Sequence, residues 1–469
     1  MVREGGLTGG RAVRAVRGVG RPPRGEGAGQ GGRPSKLAIM PLKFQAPRGT
    51  RDLLPPEMAV FRGLETLGRK LAATYGYQPI DTPLFEDSAV FERGIGEQTD
   101  VVEKELFRIR SPGSADERWA LRPEPTAGIC RAYVEHGMHT LPQPVRLTTF
   151  GPMFRYDRPQ AGRYRQFWQF DVEVIGDPGP AVDAEVIELA LRFVRDAGVA
   201  NVELHLNSIG DGACRPAYIA ALVDYMSGHT KDLPDLERRR LAANPLRLLD
   251  SKDARTLTIL EGAPTIDSYL CPACRDHFDS LLAHLARLGI EPRRAPRLVR
   301  GLDYYTRTAF ELYQRGAEGQ QSALGGGGRY DGLIELFGAR PTPAIGFGLG
   351  IDRIAGALGV ADQPPTLHPV AVVVGADPAA TDLRLKLATD LRAAGIAAAA
   401  DLAPRKLGRQ LEGAARDGAH FAVVVGDELD VGQVQLRDLE AGTQRVVNVA
   451  DLVRELERAH ASHRHGESG

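Results

Sequence analysis

The chain has 469 residues, of which 43% are hydrophobic and 25% are charged, as is typical of a soluble globular protein with a sizeable core. Charges interrupt every apolar run well before the roughly 20 residues that cross a bilayer, so we expect no membrane span. The four cysteines are too few for a disulfide framework in so long a chain, and a reducing cytoplasm is expected. The formal net charge of −1 gives no indication of nucleic-acid binding.

The N-terminal segment, residues 1–39, is an exception to this balance. It holds eight lysines and arginines against Glu4 and Glu26, so it carries +6 and the rest of the chain −7. Glycine, arginine and proline dominate without apolar periodicity, which predicts a disordered basic extension. The segment lacks the apolar block of a signal peptide and the serine-rich, amphipathic character of a transit peptide. We expect a dispensable leader or a start assigned too early, with Met40 opening the folded protein.

The first predicted element of the folded part is an amphipathic helix. Apolar residues recur every three or four positions from Glu57 to Tyr75, and Gly76 follows as a stop signal. The elements that follow are a strand, a helix and two strands, at residues 119–122, 126–136, 146–156 and 164–175. A loop with Pro159 and Gly162 separates the last two strands.

The strand predicted over 164–175 alternates cleanly. Apolar side chains take one face and polar side chains the other, as the two-residue period of a strand requires. The apolar face consists of Trp168, Phe170, Val172 and Val174, and the polar face of Gln169, Asp171 and Glu173. Two carboxylates and an amide on one face suit a binding site, but a solvent-facing polar stripe explains the pattern equally well.

Helices, strands and irregular sequence alternate through the middle of the chain. A helix over 183–198 and a strand over 202–206 precede a helical, irregular stretch at about 211–297. After it come a strand at 304–313, a glycine cluster at 325–328, a helix at 330–337, alternating glycine and apolar residues at 344–350, and a helix from about Asp352. The glycine cluster either cradles a phosphate or lets two backbones approach closely.

Beyond Pro364 and Pro365, which mark a linker at 364–366, the pattern changes. Strands and helices alternate, which predicts a small α/β domain over 367–460 with right-handed crossovers, followed by a tail at 461–469. The predicted strands are 370–374, 396–400 and 421–426, and the predicted helices are 379–394 and 404–418. Residues 368–460 hold 11 basic and 14 acidic residues, so only Arg405, Lys406 and Arg409 suggest a local RNA-binding patch.

Three arginines, Arg155, Arg300 and Arg353, stand in extended or turn contexts where structural roles are scarce. Arginine stays charged at physiological pH and binds phosphate or carboxylate through paired hydrogen bonds. Adenylyl and phosphoryl transfer need such fixed positive charge, because negative charge develops in the transition state. Taken alone, each arginine is better explained as a surface charge, and the chain has no GxxxxGK[ST] phosphate loop.

Five stretches together resemble the histidyl-tRNA synthetases, a family of class II aminoacyl-tRNA synthetases. Residues 150–173 resemble the family's motif 2, residues 346–354 its motif 3, and the region around Pro83 its motif 1. Residues 300–311 and 323–333 resemble its two histidine-specific signatures. The likeness runs from about Phe44 to Val453, and the motifs together are highly specific.

The resemblance implies an α+β class II catalytic domain over 40–363, an antiparallel sheet flanked by helices, with a helical domain inserted at about 211–297. It also implies a C-terminal α/β anticodon-binding domain and a homodimer. The implied reaction activates L-histidine with ATP to histidyl-adenylate, releases pyrophosphate, and transfers histidine to the 3′ end of the histidine tRNA. Mg²⁺ is expected through the ATP phosphates, and no protein-bound metal is expected.

The resemblance also implies roles for individual residues at the nucleotide. Arg155 and Arg300 would be catalytic, the first at the α-phosphate and the histidine carboxylate and the second assisting at the α-phosphate. Arg163 and Arg353 would hold the outer phosphates, and Phe167 would stack on adenine. Phosphate binding by several arginines is consistent with the chemistry derived above.

A second set of implied roles concerns histidine. Glu124, Thr126 and Gln169 would bind its amino group, with Arg155 at its carboxylate and Arg300 nearby. The imidazole would be read by Glu173 and Tyr305, and the pocket would be lined by Tyr304. A carboxylate and a phenol suit a ring with two nitrogen atoms, and such a site rejects analogues that lack them.

Two features stand apart from this family pattern. Trp168 occupies a position where many members have histidine, and its place on the apolar face predicts a packing role. Cys271 and Cys274, with His277 nearby, have the spacing of metal ligands. A closed zinc site needs four ligands and no second pair is seen, so a structural or incidental role is expected.

Two rival functions remain at this point. One is the regulatory subunit of ATP phosphoribosyltransferase, a non-catalytic relative that should lack the C-terminal domain and show eroded signatures. The other is a synthetase-like RNA-binding or signalling module. Histidine-dependent exchange of pyrophosphate into ATP separates the enzyme from both.

Overall fold

A computed structural model describes residues 44–466, apart from 97–98, 100, 111–112, 114–116, 160–161, 303, 317–322, 359–368, 376 and 378–379. The predicted extension at 1–39 and the predicted linker at 364–366 lie outside the described residues. Among the helices of the described part, none combines the length and apolar character of a membrane span.

The regular elements fall into three stretches of the chain. Before the insertion they are α1 Pro55–Thr74, β1 Gln78–Pro79, β2 Phe85–Asp87, α2 Ser88–Ile95, β3 Arg108–Arg110, β4 Arg118–Leu121, α3 Thr126–Glu135, β5 Val145–Phe154, β6 Gln166–Ile175, α4 Pro180–Asp196 and β7 Val202–Ser208. The next are α5 Arg215–Ser227, α6 Asp235–Ala243, α7 Ala254–Leu260, α8 Pro272–Arg287 and β8 Arg293–Arg294. The sheet then resumes with β9 Thr306–Gln314, β10 Ala323–Arg329, β11 Ala344–Gly350 and α9 Ile351–Ala357.

The C-terminal part has its own elements and its own sheet. They are β12 Ala371–Gly375, α10 Thr381–Ala393, β13 Ala398–Ala400, α11 Leu407–Arg416, β14 Phe421–Val425, β15 Gln433–Asp438, β16 Gln444–Asn448 and α12 Leu452–Gly466. The sheet order is β13-β12-β14-β15-β16, parallel among the first three strands and antiparallel from β14 onward. The sequence interpretation missed β15 and β16, and α12 extends into the predicted tail.

Within the described residues, the large sheet has eight strands in the order β1-β5-β6-β11-β10-β9-β7-β8. Its six central strands pair antiparallel, and only the edge pairs β1–β5 and β7–β8 are parallel. Helices α1, α4, α8 and α9 bury their apolar sides against one face of this sheet, where Phe170, Phe193 and Phe310 are almost fully buried. The opposite face is therefore left for polar side chains.

The helical insertion lies between β7 and β9, and it has a core of its own. Tyr218, Leu222 and Met226 of α5 pack there with Leu260 and Ile266. The predicted fold class is thus confirmed: a mainly antiparallel sheet flanked by helices, a helical insertion, and a C-terminal α/β domain.

The structure decides two local expectations, a helix over 330–337 and the role of the glycine cluster at 325–328. The helix predicted over 330–337 is wrong, because only Ile334–Phe337 forms a turn of 3-10 helix, ended by Gly338 at φ +88°. The glycine cluster at 325–328 forms part of β10, a central strand paired on both sides, so its backbone groups are used within the sheet. The glycine cluster therefore allows the backbones of neighbouring strands to approach closely, and it does not form a phosphate-binding loop.

Candidate active site

The candidate site is built on the polar face of β6. Trp168, Phe170 and Val172 point into the main core, as the alternation predicts. On the other face, Asp171 is 2% exposed and Glu173 1% exposed. A solvent-facing stripe is therefore excluded, and the buried carboxyl groups need partners or a ligand.

Glycines on the neighbouring strand make room for these side chains. Gly346 and Gly348 of β11 pair with Glu173 and Asp171 of β6. A Cβ atom at Gly346 would overlap the Glu173 carboxylate, and one at Gly348 would lie 2.6 Å from the Asp171 Oδ1 atom. The alternation of glycine with apolar residues in β11 thus creates the space in which the polar face of β6 lies.

Glu124, Thr126 and Glu173 form a hydrogen-bonded cluster that joins β6 to the start of α3. The Thr126 hydroxyl donates to Glu173 over 2.5 Å, and the Tyr330 hydroxyl also donates to Glu173. The Glu124 carboxylate accepts from the backbone N–H groups of Thr126 at 2.8 Å and Ala127 at 3.0 Å. Glu124 therefore caps α3 from within the site, a favourable place for a negative charge.

Burial changes the acidity of all three carboxyl groups in this region. It raises the pKa of Glu173 to about 8, although the hydrogen bonds from Thr126 and Tyr330 act in the opposite direction. Burial also raises the pKa of Glu124, and burial together with the nearby Glu173 charge raises the pKa of Asp171. A cluster that resists full ionisation favours a ligand that brings positive charge or N–H donors.

Four arginines, Arg155, Arg163, Arg300 and Arg353, line an adjacent cavity of about 590 Å³. Burial and the positive charge of Arg163 lower the pKa of Arg353, so positive charge is concentrated here. Such a concentration of fixed charge suits a polyanion.

Each arginine is also oriented by the protein. Arg155 donates to the Pro123 carbonyl over 2.9 Å, and Arg353 donates to the Ala323 carbonyl over 2.6 Å. Arg163 pairs with Asp157 at 2.7 Å. The Arg300 guanidinium lies 3.6 Å from Glu311 and 5.5 Å from the centre of the Tyr305 ring. Preorganised charges of this kind lose little free energy on reorganisation when a phosphate binds.

Two sequence profiles cover most of the chain. Residues 49–354 match the profile of the family described as Histidyl-tRNA synthetase, and residues 369–459 match that described as Anticodon binding domain. The chain belongs to the histidyl-tRNA synthetase family. A histidine–tRNA ligase of Desulforudis audaxviator is 46% identical over 420 residues, which cover 89% of this chain and 99% of that protein.

Further relatives agree. A histidine–tRNA ligase of Synechococcus elongatus is 45% identical over 88% of this chain and 94% of its own length. The apo crystal structure of the S. aureus histidyl-tRNA synthetase has a TM-score of 0.74 and 34% identity, covering 88% of this chain and 99% of that one. The activity of this chain is therefore that of a histidine–tRNA ligase.

One solved relative bears on the regulatory alternative. An ATP phosphoribosyltransferase regulatory subunit/histidyl-tRNA synthetase from Bacillus halodurans C has a TM-score of 0.58 and 24% identity, a likeness of fold alone. The match to the anticodon-binding profile, in a domain that the regulatory subunit was expected to lack, leaves that alternative less supported.

The structure brings every predicted site residue into one region. The cavity-lining members are Arg155, Arg163, Phe167, Gln169, Arg300, Tyr305 and Arg353. The buried members are Glu124, Thr126 and Glu173, and Tyr304 connects the two sets. The Tyr304 hydroxyl donates to Glu124 over 3.5 Å, and its ring centre is 4.6 Å from that of Tyr305.

Two groups of residues in this region were missed by sequence reasoning. The first is Tyr330, which directly follows Arg329 in the glycine-rich signature and donates to Glu173. The second is a buried network in which Arg329 pairs with Asp183 at 2.6 Å and Asp183 accepts from Thr308 at 2.6 Å. Arg329, Tyr330 and Thr308 lie in the two stretches that resemble the histidine-specific signatures, but only the three-dimensional structure shows which residues they contact.

His277 belongs to that buried network and not to the cysteines near it in sequence. Its Nε2 atom is 2.9 Å from the Asp183 carboxylate. Burial alone would raise the pKa of Asp183, but the His277 hydrogen bond and the Arg329 charge lower it. The network joins α4, α8 and β10 behind the site, so its role is to hold the scaffold.

Proposed function

We propose that the buried carboxyl cluster and the arginine-lined cavity are two halves of one active site. The first binds L-histidine and the second binds ATP, so that histidyl-adenylate forms where they meet. The observation that carries this proposal is the position of Gln169, which lies on the same face of β6 as Glu173 and also lines the arginine cavity. One strand thus connects the two halves.

In the histidine half, Glu173 and Tyr305 bind the two imidazole nitrogens, and Tyr304 lines the pocket. The Thr126 and Tyr330 hydroxyls hold the Glu173 carboxylate in place. The histidine amino group is bound by Glu124, Thr126 and Gln169. Supporting this, the Gln169 Oε1 atom is buried and has no hydrogen-bond partner among the described residues, so an acceptor is available for an ammonium N–H.

In the nucleotide half, Arg155 binds the α-phosphate and Phe167 stacks on adenine. The Arg155 guanidinium carbon lies 5.2 Å from the centre of the Phe167 ring, so the proposed α-phosphate and adenine sites are neighbours. Arg163 and Arg353 bind the outer phosphates. Burial and the positive charge of Arg163 together lower the pKa of Arg353, and a bound polyphosphate would relieve the repulsion between the two arginines.

Activation needs no nucleophile from the protein. A histidine carboxylate oxygen attacks the α-phosphorus, the bond to the β-phosphate oxygen breaks, and pyrophosphate leaves. Arg155 and Arg300 stabilise the negative charge that develops on the α-phosphate. In the second step the terminal ribose hydroxyl of the tRNA attacks the histidyl carbonyl and AMP leaves. Positioning and fixed charge therefore account for catalysis.

Mg²⁺ fits the residues that are present. Glu311 lines the cavity beside Arg300 and offers a hard carboxylate oxygen, the ligand type that Mg²⁺ prefers alongside phosphate oxygens. When bound, the ion neutralises charge on the outer phosphates. The ion would be held mainly by the ATP phosphates, as the resemblance implies, and Glu311 would add one carboxylate oxygen while Arg163 and Arg353 bind the remaining phosphate oxygens.

We further propose a homodimer that works in the cytoplasm. Strand β2 is an edge strand of the sheet β2-β4-β3, and beside Pro83 the apolar side chains of Leu84 and Phe85 are 42% and 47% exposed. An exposed apolar edge strand favours burial against a second chain. Light scattering should give twice the chain mass, and Leu84→Glu should shift the protein toward monomer.

The proposed location in the cytoplasm rests on the cysteines. All four are free, as suits a reducing compartment.

Arg300→Ala tests the proposed chemistry. Removing one preorganised positive charge should lower the rate of histidine-dependent ATP–pyrophosphate exchange 100-fold or more, about 3 kcal/mol. The KM for histidine should change much less than the rate. Arg287→Ala, at an exposed site in the last turn of α8, is the matched control and should exchange normally. Near-normal exchange by Arg300→Ala would refute the assigned role.

A further inference from the structure

Four potential metal ligands that are not part of the proposed substrate site meet in the inserted helical domain. They are Asp211, Cys214, Cys271 and Cys274, and their ligand atoms all lie within 4.8 Å of one another. Cys214 and Cys274 are buried, while Asp211 and Cys271 are half-buried. Three thiols and a carboxylate supply the four ligands of a closed site.

The two pairs have the same construction. Asp211 and Cys214 are three residues apart and immediately precede α5, and Cys271 and Cys274 are three residues apart at the start of α8. Asp211 and Cys214 therefore repeat the three-residue spacing of Cys271 and Cys274, with a carboxylate in place of one thiol. The second pair of ligands that a closed zinc site needs is thus present.

The distances are close to those of a tetrahedral zinc site. With Zn–S bonds of about 2.3 Å, neighbouring ligand atoms of a tetrahedron are separated by about 3.8 Å. The Asp211 Oδ1 atom lies 3.6 Å from the Cys214 sulfur and 4.0 Å from the Cys271 sulfur. Binding would therefore require movements of less than about 1 Å, which side-chain rotations readily supply.

The surroundings also favour metal-bound thiolates. The backbone N–H of Asp211 lies 3.3 Å from the Cys214 sulfur and donates to it. Arg307 pairs with the other carboxylate oxygen of Asp211, Oδ2, at 3.4 Å, which leaves Oδ1 facing the sulfurs. Hydrogen bonds of this kind orient ligands and compensate their charge.

We propose that Asp211, Cys214, Cys271 and Cys274 bind one structural zinc ion that holds the first and last helices of the inserted domain together. The complete set of four ligands leaves no open position for catalysis. A redox-active Cys271–Cys274 pair would need neither the carboxylate nor the third thiol. The zinc site is thus a stabilising element that acts in addition to aminoacylation.

The proposed site also lies close to the frame of the histidine pocket. The backbone N–H of Arg307 donates to the Gly210 carbonyl over 2.7 Å. Arg215, which follows Cys214, donates to the Tyr305 carbonyl over 2.6 Å. Removing zinc should therefore lower thermal stability first, and raise the KM for histidine more than it lowers kcat.

Metal analysis of the full-length protein, produced without a histidine tag and purified without chelators, tests the proposal. We expect close to one zinc ion per chain in the parent protein and a large loss in Asp211→Ala and Cys271→Ser. Cys130→Ser is the matched control, because Cys130 is a buried free cysteine outside the cluster, and it should retain the zinc. Zinc content unaffected by Asp211→Ala and Cys271→Ser would overturn the proposal.

Two measurements keep the test decisive even if a ligand variant fails to fold. Asp211→Cys supplies a fourth thiolate, and it should lose zinc to a chelator about tenfold more slowly than the parent chain. Adding Co²⁺ to the reduced, metal-depleted parent protein should give the strong visible absorption of tetrahedral cobalt–thiolate coordination. Failure of the folded parent protein to bind Zn²⁺ or Co²⁺, or a mass showing a Cys271–Cys274 disulfide under reducing conditions, would overturn it.

Discussion

Glu173 is a carboxyl group with 1% of its surface exposed, and burial raises its pKa from an ordinary value of 4.5 to about 8. Its hydroxyl partners, Thr126 and Tyr330, offset only part of the desolvation. Ionising Glu173 in the folded protein therefore costs free energy unless a ligand supplies an N–H donor or positive charge. Histidine, whose ring can carry a proton, is such a ligand.

The first residue-scale prediction is the pH dependence of Glu173→Gln. Because the folded-state pKa lies above the unfolded value, Glu173 gives its full stability below about pH 4.5 and loses it as pH rises through about 8. The amide cannot ionise, so the variant lacks this loss of stability. The melting temperature of the variant minus that of the parent should therefore rise by several degrees between about pH 5.5 and about pH 9. Parallel melting curves at all pH values would contradict the assignment.

Glu173→Gln also separates binding from folding. A charge-assisted hydrogen bond to the imidazole becomes neutral, which costs roughly 1–2 kcal/mol. The KM for histidine should rise about tenfold while the KM for ATP stays nearly constant. Glu412→Gln, at an exposed site on α11, is the control and should change neither. An unchanged KM for histidine would place the imidazole elsewhere.

Among the single elements, strand β6 packs against the core with one face and carries the carboxyl cluster on the other. Trp168 packs edge-on against Phe61 with ring centres 6.3 Å apart, and its ring centre is 6.0 Å from that of Phe150. Five residues further along, Glu173 lies on the opposite face in the carboxyl cluster. The packing role predicted for Trp168 is therefore confirmed.

Trp168→Ala should accordingly affect stability and not substrate specificity. Trp168 is half-buried, so truncation should cost about 3 kcal/mol, the lower end for a packed aromatic side chain. Chemical denaturation should show a lower free energy of unfolding, while histidine KM and exchange activity per folded molecule change less. A variant with normal stability and a strongly raised histidine KM would mean that the faces of β6 are reversed.

The start of α11 carries the basic residues that we expect to contact tRNA. Arg405 and Lys406 immediately precede the helix and Arg409 lies in it, and all three are exposed, although Arg405 pairs with Asp401 at 3.3 Å. Replacing all three with alanine should lower kcat/KM for tRNA about tenfold and weaken its salt dependence. Pyrophosphate exchange should be unchanged. Equal loss of both activities would indicate damage to the fold and not to tRNA binding.

Long, two-faced elements were predictable, because burial imposes a period on their sequence. Helix α1 and strand β6 are examples. The predicted helix at 330–337 is wrong because the Tyr330 side chain bonds to Glu173, Gly332 interrupts the segment, and Gly338 ends it. Motif likeness located the substrate residues, but neither the partners of Glu173 nor the pairing of Asp211 with Cys214 leaves a periodic signal.

Across the whole molecule, the parts of the chain with different proposed functions have separate hydrophobic cores. The large sheet, the helical insertion and the C-terminal sheet each bury their own apolar cluster. The first carries the proposed activation site, and the C-terminal domain matches an anticodon-binding profile. Activation should therefore proceed without tRNA, whereas aminoacylation needs the whole chain.

The most direct test of the proposed active site is ATP–pyrophosphate exchange by the purified protein with each of the common amino acids. With Mg²⁺ and ATP present, we expect rapid exchange with histidine and only background exchange with the others, because an imidazole is needed to satisfy Glu173 and Tyr305. Comparable exchange with several amino acids, or none with histidine, would contradict the proposed site.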